Sequence, residues 1–387
     1  MTLSGAVAIA GVFEHPTRWA PDKTEFQIMA ESAKGALDDA GLTIGDVDAL
    51  FAASMTMGAM GIVDLAEYLD LKPTYLDGTN IGGSSFVAHV AHAAAAIHAG
   101  MCEVALVLYG STAASNAMAI GTGMGGERRD PTASFTTPYG MTTVGSYALL
   151  AQLHRQHFGT TAEQLAEIAV TMRHHASLNP AAKMRQPITV DDVLASRMIS
   201  EPLHLLDCCI ISDGGGAVVV TSAARARDLP KVPVLLHGCG EAVAHQEIGR
   251  PDLFTMAARQ SGWRAFSMAG VTHDDIDLCT IYDSFTITVL ATLENLGFCG
   301  VGEGGPFVAD GRIGLGGALP VNPDGGGLSS NHPGMRGIFL VIEAAKQLRG
   351  ECGPRQVDDA QLACVHGTGG TIGVAHSGAT LILGVEQ

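Results

Sequence analysis

Positive charge is scarce in this chain: 22 lysines and arginines stand against 39 aspartates and glutamates over 387 residues, a formal net charge of −17. Acid spread evenly over a surface repels phosphate polymers and anionic bilayers, so neither nucleic acid nor membrane is an expected partner. An anionic ligand would need a local cationic pocket. Long apolar runs are missing as well. No stretch reaches about 18 uninterrupted apolar residues, and no opening stretch joins a basic start to a long apolar core. Neither membrane spanning nor export is therefore expected, and the expected compartment is the cytoplasm. Metal-binding cysteine spacing is also absent. The eight cysteines are dispersed and their one close pair, Cys208 and Cys209, is adjacent rather than spaced as CxxC. They read as buried free thiols rather than as a metal site, and no metal is expected.

What the chain has in quantity is apolar mass, with 47% hydrophobic and 16% charged residues. Such a composition buries well and excludes disorder, and 387 residues exceed one ordinary core, so two domains or two fused halves are expected. Helical and strand-like stretches alternate, as an α/β fold requires. "TEFQIMAESAKGALDDAGL" has apolar residues at helical spacing and stops at Gly41, and "EVALVLYGS" is a continuous apolar run of strand length, buried on both faces. "SDGGGAVVVTSAARARDLP" and "HGTGGTIGVAHSGATLILG" both read as a glycine turn followed by an apolar strand. The repetition predicts two similar halves, residues 1–225 and 226–387. Between residues 117 and 202, glycine-rich "IGTGMGGERRDP" and polar helical material read as an insertion that covers or lines a site.

Four glycine-bracketed spots carry polar groups beyond what turns need. "NIGGSSF" places Ser84 and Ser85 at a helix start, where backbone N–H groups and the helix dipole suit an anion or a nucleophile, and where serine is also the ordinary N-cap. "IYDSF" offers Tyr282, which is either a satisfied core phenol or an acid/base. "GGGLSSNHPGMRG" presents Asn331 and His332 in a rigid turn, suited to an oxyanion or to proton movement near pH 7. "CVHGTGGTIG" sets His366 at the lip of a glycine loop whose glycines also have a purely conformational use. His89 and His92 share a helix face but read as solvated or packed. His174 and His175 read as surface, and "GMGGERR" is weak as a phosphate loop.

In this order and at these separations the four spots resemble the thiolase superfamily, more closely its sterol-carrier-protein type. "SRMISEPLHLLDCCIISDGGGAVVV", "YDSFTITVLATLENLGFCG", "GGGLSSNHPGMRG" and "HGTGGTIG" carry the resemblance. It implies a duplicated five-layered α-β-α-β-α fold with mixed sheets, acyl-CoA substrates bound under the insertion, and an intimate homodimer. Thiolases acylate a cysteine at the tip of a helix. Here the matching turn offers Gly83, or Ser84 if one residue is gapped, and neither is cysteine. Tyr282 replaces a family histidine, His366 or Gly367 stands where a second cysteine is common, and His332 is retained.

Serine lacks the low pKa of a thiol, so the loss points to chemistry without a covalent acyl-enzyme. Retro-aldol cleavage of a β-hydroxyacyl-CoA fits, with His332 and Asn331 stabilising the enolate and Tyr282 or His366 as acid/base. The chain is similar to the thiolase-like aldolases of bacterial steroid side-chain degradation. That likeness implies a small OB-fold and zinc-ribbon partner, with CoA as part of the substrate and no cofactor bound by this chain. Two alternatives stand beside it: the thiolase subunit of a two-component acyltransferase, and a non-catalytic acyl-CoA-binding scaffold.

Overall fold

The computed structural model describes residues 3–118, 142–244 and 252–386. The first half runs β1 (Val7–Glu14), α1 (Glu25–Ala40), β2 (Ala49–Ala52), α2 (Gly61–Tyr68), β3 (Tyr75–Asp77), α3 (Ser85–His98) and β4 (Val104–Ser111). Next come α4 (Thr143–Phe158), α5 (Ala162–Leu178), α6 (Val190–Ala195) and a hairpin of β5 (Met198–Ser200) with β6 (Leu203–His204). The chain then returns to the sheet in β7 (Gly214–Ser222), followed by the short α7 (Ala223–Ala226). The second half is β8 (Val234–Ala244), α8 (Ala257–Ala269), β9 (Leu278–Ile281), α9 (Thr286–Leu296), α10 (Gly304–Val308), α11 (Gly337–Leu348), β10 (Leu362–Thr371) and β11 (Val374–Gly384).

Local chemistry sets these boundaries. Thr24 and Gln27 form a capping box at the start of α1, and Gly41, at φ 69°, closes it. Alternation along the strands then fixes the layers. In β4, Ala105, Val107 and Tyr109 face one core, while Val104, Leu106 and Leu108 face another with Met29, Ala33 and Leu37 of α1.

The strands form one sheet in the order β3-β2-β4-β7-β1-β8-β11-β10-β9. Its two sides repeat one plan. The β2/β4 pair is parallel and the β4/β7 and β7/β1 pairs antiparallel, just as β9/β10 is parallel and β10/β11 and β11/β8 are antiparallel. β1 meets β8 at Ala8↔Leu235 and Ile9↔Val234. Helices α3 and α11 touch each other and strands of both sides, α1 covers the outer face of the first side, and α8 covers that of the second. The result is the five-layered α-β-α-β-α architecture, with α3 and α11 as its middle layer.

Some local expectations fail. The glycines of "SDGGG" open β7 as strand, paired with Tyr109–Ser111 of β4, rather than forming a turn ahead of it. "HGTGG" is strand rather than turn, because β10 runs through it and pairs with β11 along its length. His175 is buried, not on the surface. The inner face of α5 presses against the second half, so Leu315 N donates to His175 Nε2 at 3.1 Å and Nδ1 donates to Asn322 O at 3.1 Å. Burial accordingly pushes this imidazole down to about 4. All of "IGTGMGGERRDP", including the weak phosphate-loop candidate "GMGGERR", lies outside the described residues; α4 and α5, which follow, pack on α9 as core through Tyr147, Leu150, Leu165 and Met172.

Candidate active site

The glycine turn before α3, the residues after β9, the turn before α11 and the loop end of β10 converge on one cavity of roughly 430 Å³. Gly82, Gly83, Tyr282, His332, Gly334, Thr368 and Gly369 form its polar end. Met55, Val144, Ile199, Leu205, Ile211, Phe285 and Met335 make much of the remaining wall, with Arg197 at the exposed hairpin. Thr143, Val144, Tyr147, Arg197 and Ile199 come from the inserted region.

The tightest approach lies between the first two stretches. A Cβ on Gly83 would stand 2.1 Å from Tyr282 Cε2 and 2.5 Å from Thr368 O, so the tyrosine ring fills the space a side chain would take. Gly369 has a similar use, because a Cβ there would lie 1.8 Å from Ile81 O. Ser84 and Ser85 are turned away from the cavity. Ser84 Oγ donates to Ile81 O at 2.9 Å and meets Ser377 Oγ at 2.9 Å, and Ser85 Oγ donates to Gly82 O at 2.7 Å. Neither hydroxyl caps α3, because the short 3₁₀ turn Gly82–Ser84 directs both toward the preceding carbonyls.

Tyr282 Oη lies 2.9 Å from His332 Nε2, with the two rings perpendicular. The histidine turn is held rigidly. His332 N donates to Ser212 Oγ at 3.0 Å, Tyr109 Oη donates to Pro333 O at 2.5 Å, and Met335 N donates back to Tyr109 Oη at 3.0 Å. Burial, reinforced by the Arg336 cation, pushes His332 down to about 4, and burial raises the Tyr282 phenol well above its usual value. Near neutrality the pair is therefore an uncharged imidazole beside an uncharged phenol.

A buried ionic cluster lies beside this pair. Arg336 donates to Asp324, to Asn331 O at 3.0 Å and to Asn331 Oδ1 at 2.6 Å, and its Nε lies 3.4 Å from Asp283 Oδ1. Burial raises Asp283 to about 6, against the pull of Arg336 and of the Gly327 N–H, which donates at 2.7 Å. Asn331 Nδ2 donates to Glu14 Oε1 at 2.7 Å, and Glu14 is paired with Arg18. Burial pushes Glu14 up, but Arg18 and more distant cations overcome this and hold it low.

Residues 240–385 match the family described as Thiolase C-terminal domain-like. The chain is 34% identical to a steroid side-chain-cleaving aldolase of Thermomonospora curvata, over all of this chain and 99% of that protein. The chain belongs to the thiolase superfamily. An acetyl-CoA acetyltransferase of Methanothermobacter thermautotrophicus is likewise 34% identical, over 95% of this chain and 97% of that one. The solved structure of the Ltp2-ChsH2(DUF35) aldolase superposes with a TM-score of 0.89 at 33% identity, covering 100% of this chain and 99% of that one.

Within this thiolase-like fold the seven expected residues divide. Gly83, Tyr282 and His332 meet at the cavity. Asn331 is buried beside it as a ligand of Arg336 and Glu14, so its amide is already used. His366 is a correction: it sits inside β10 rather than at a loop lip, on the face opposite Gly367. Its Nδ1 meets Thr380 Oγ1 at 2.9 Å, its Cε1 abuts Gly378, and Gly367 faces Ser84 and Val87 of the central layer. Strand alternation forces that separation.

Sequence reasoning passed over Thr368, whose buried hydroxyl has no hydrogen-bond partner and whose residue lines the cavity. It also passed over Cys208 and Cys209, which line the cavity although they read as bulk thiols. Burial pushes Cys208 up to about 12 and Cys209 higher still, so neither is poised as a thiolate. The adjacent charges Asp283, Asp324 and Arg336 were visible in sequence as acids and a base flanking the two motifs, but only folding joins them.

Proposed function

We propose that this thiolase-like chain is a C–C bond lyase that cleaves a β-hydroxyacyl-CoA by retro-aldol chemistry to a ketone or aldehyde and a shorter acyl-CoA. A steroid side-chain thioester is the proposed substrate class, in keeping with the name of the aldolase it resembles. One observation carries the reading: the space at Gly83, on the turn where thiolases acylate a cysteine, is filled by the Tyr282 ring. A covalent acyl-enzyme has no atom to form on there, whereas an uncharged phenol bonded to an uncharged imidazole suits proton transfer.

Tyr282 accepts the proton of the substrate's β-hydroxyl as its own phenolic proton passes to His332 Nε2. The electron pair of the O–H bond becomes the new C=O, and the Cα–Cβ pair moves onto the thioester as an enolate. The relay then returns its proton to Cα, so the enzyme ends as it began. Arg197 supplies a cation for the CoA phosphates at the cavity's hairpin edge, the local positive charge that an acidic protein needs. The apolar wall suits a bulky acyl group, and CoA enters as part of the substrate.

The proposed assembly is a homodimer working with a small OB-fold and zinc-ribbon protein, which the DUF35 component in the name of the similar aldolase supports. Among the described residues no helix is long and apolar enough to cross a membrane.

Mass spectrometry of products from β-hydroxyacyl-CoA and β-ketoacyl-CoA panels, with and without free CoA and the partner, tests the function. Cleavage of the hydroxy esters without added CoA is the expected result. Cleavage of keto esters that depends on free CoA, with a trapped acyl-enzyme, would replace it with the acyltransferase reading; tight binding without turnover even with the partner would leave a scaffold.

A further inference from the structure

His92 and His89, one turn apart on α3, both hold the segment that delivers Gly83 to the cavity. His92 Nδ1 lies 2.7 Å from Asp77 Oδ2 and its Nε2 lies 2.9 Å from Glu241 Oε2. Ionised carboxylates only accept hydrogen bonds, so the ring satisfies both partners only as the doubly protonated imidazolium. The other oxygen of Asp77 accepts from Thr79 N at 2.8 Å and from Thr79 Oγ1 at 2.7 Å. The Thr79 carbonyl in turn accepts from His89 Nε2 at 2.9 Å. Thr79 opens the segment in which Asn80, Gly82 and Gly83 line the cavity. Asp77 belongs to β3, at one edge of the sheet, and Glu241 to β8 in the other half, so the ring also bridges the two repeats.

We propose that His92 is a positioning residue of the active site, an imidazolium clamped between Asp77 and Glu241 that fixes the Thr79–Gly83 segment against Tyr282. The charged and titratable groups facing it are Asp77 from β3, Glu241 from β8 and His89 from its own helix. His92 is about one-third exposed, so solvent reaches the clamp without dissolving it. The Asp77 hydrogen bond raises the pKa of the ring, partial burial opposes the rise, and Glu241 adds to it. His89 responds in the opposite sense: burial drives it down to about 4, leaving a neutral ring that donates to Thr79 O at any working pH. The two histidines thus divide the task. His89 is a fixed peg, and His92 is a peg that loosens as pH rises through its raised pKa, where the imidazolium is lost. A loosened segment lets Gly83 drift from Tyr282, and a displacement of about 1 Å at reacting groups costs up to about a hundredfold in rate.

The kinetic part of this inference rests on the lyase reading, whereas the coupling of His92 to the segment does not. The test uses the full chain, with its partner where turnover needs it, and measures kcat/KM from about pH 6 to pH 10. Wild type should lose activity along an alkaline limb above the ordinary histidine range. Glu241→Gln removes one carboxylate and should move that limb down by about one pH unit. His92→Lys keeps a cation and should abolish the limb below about pH 9, while His92→Asn should lower kcat/KM about tenfold at neutral pH with no limb left. An alkaline limb unchanged by Glu241→Gln and His92→Lys overturns the proposal. In parallel, histidine NMR reads the His92 titration alongside the Gly82 and Gly83 amide signals in the wild-type chain without substrate. Shared midpoints support the clamp even if no ester is cleaved, and glycine signals indifferent to the His92 titration overturn it whether or not the lyase reading stands.

Discussion

The two halves of the sheet share one plan, yet the loops they bring to the cavity have opposite characters. After β2 the first half places Ala53, Ser54 and Met55, and before α3 it places Ile81 to Ser84, whose glycines leave room. After β9 the second half places Tyr282, Asp283 and Ser284, and before α11 it places the turn from Asn331 to Arg336, with a phenol, an imidazole and a buried guanidinium. One repeat supplies vacancy and the other supplies protons. A duplicated fold brings loops of its two halves face to face, and emptying a loop of one half makes space for a side chain from a loop of the other. Gly83 and Tyr282 are that complementary pair. The ionic cluster follows the same asymmetry: Arg336, Asp283 and Asp324 all belong to the second half, and the first half joins them from its margin, through the Glu14–Arg18 pair on Asn331 and through Asn179, whose Nδ2 donates to Asp324 O at 2.9 Å.

Removing the charge at the centre of the second half's cluster should have the largest effect. Arg336→Met leaves Asp283 and Asp324 buried without their cation, a loss of about 3–5 kcal/mol that urea unfolding would register. A variant as stable as wild type would mean that the two acids share a proton and need no partner. Tyr282→Phe should come next. It keeps the ring against Gly83 but deletes the proton relay, so cleavage should fall by about 10²–10⁴-fold while the binding of acetyl-CoA is unchanged. Full cleavage by this variant would remove the phenol from the mechanism. Gly83→Ala attacks the same contact from the vacant side. Its Cβ cannot coexist with the ring at 2.1 Å, so turnover should drop about a hundredfold through displaced geometry. Pairing it with Tyr282→Phe should give far less than the product of the two losses, because both act on one contact.

The α/β class was legible in the sequence because short apolar runs and glycine punctuation encode it locally, whereas the duplicated layering and the common site of Gly83, Tyr282 and His332 were legible only through the resemblance of the four motifs to the thiolase superfamily. What escaped depends on which face of an element looks inward. His366 and Gly367 are neighbours in sequence, and one strand alternation sends the histidine to the outer layer while its neighbour faces α3. Asn331 precedes His332, yet its amide is committed to Glu14 and Arg336, partners 317 and five residues away. Ser84 and Ser85 looked like helix caps, but a 3₁₀ turn ahead of α3 reverses their hydroxyls. His175 looked exposed on a polar helix because the surface that buries it arrives from a distant stretch around Leu315 and Asn322. None of these long-range pairings leaves a periodic signal.

The smallest expected effect separates His366 from His332, two buried histidines read alike in sequence. Burial, aided by the neighbouring His376, drives His366 down to about 3. Its neutral form is therefore the one the fold favours. As pH falls below about 6.5 the unfolded chain takes up a proton that folded His366 refuses, so this contribution to stability is complete above that pH and is lost progressively towards pH 3. By pH 5 the loss amounts to about 2 kcal/mol. His366→Gln cannot titrate, so the difference in unfolding free energy between pH 7 and pH 5 should shrink by that amount, whatever constant offset the substitution brings. Turnover at pH 7 should stay within about twofold of wild type, since the side chain lies behind β10 and touches nothing in the cavity. Activity lost out of proportion to stability would return His366 to the acid/base pair and would mean that the outer layer of the second half reaches the chemistry after all.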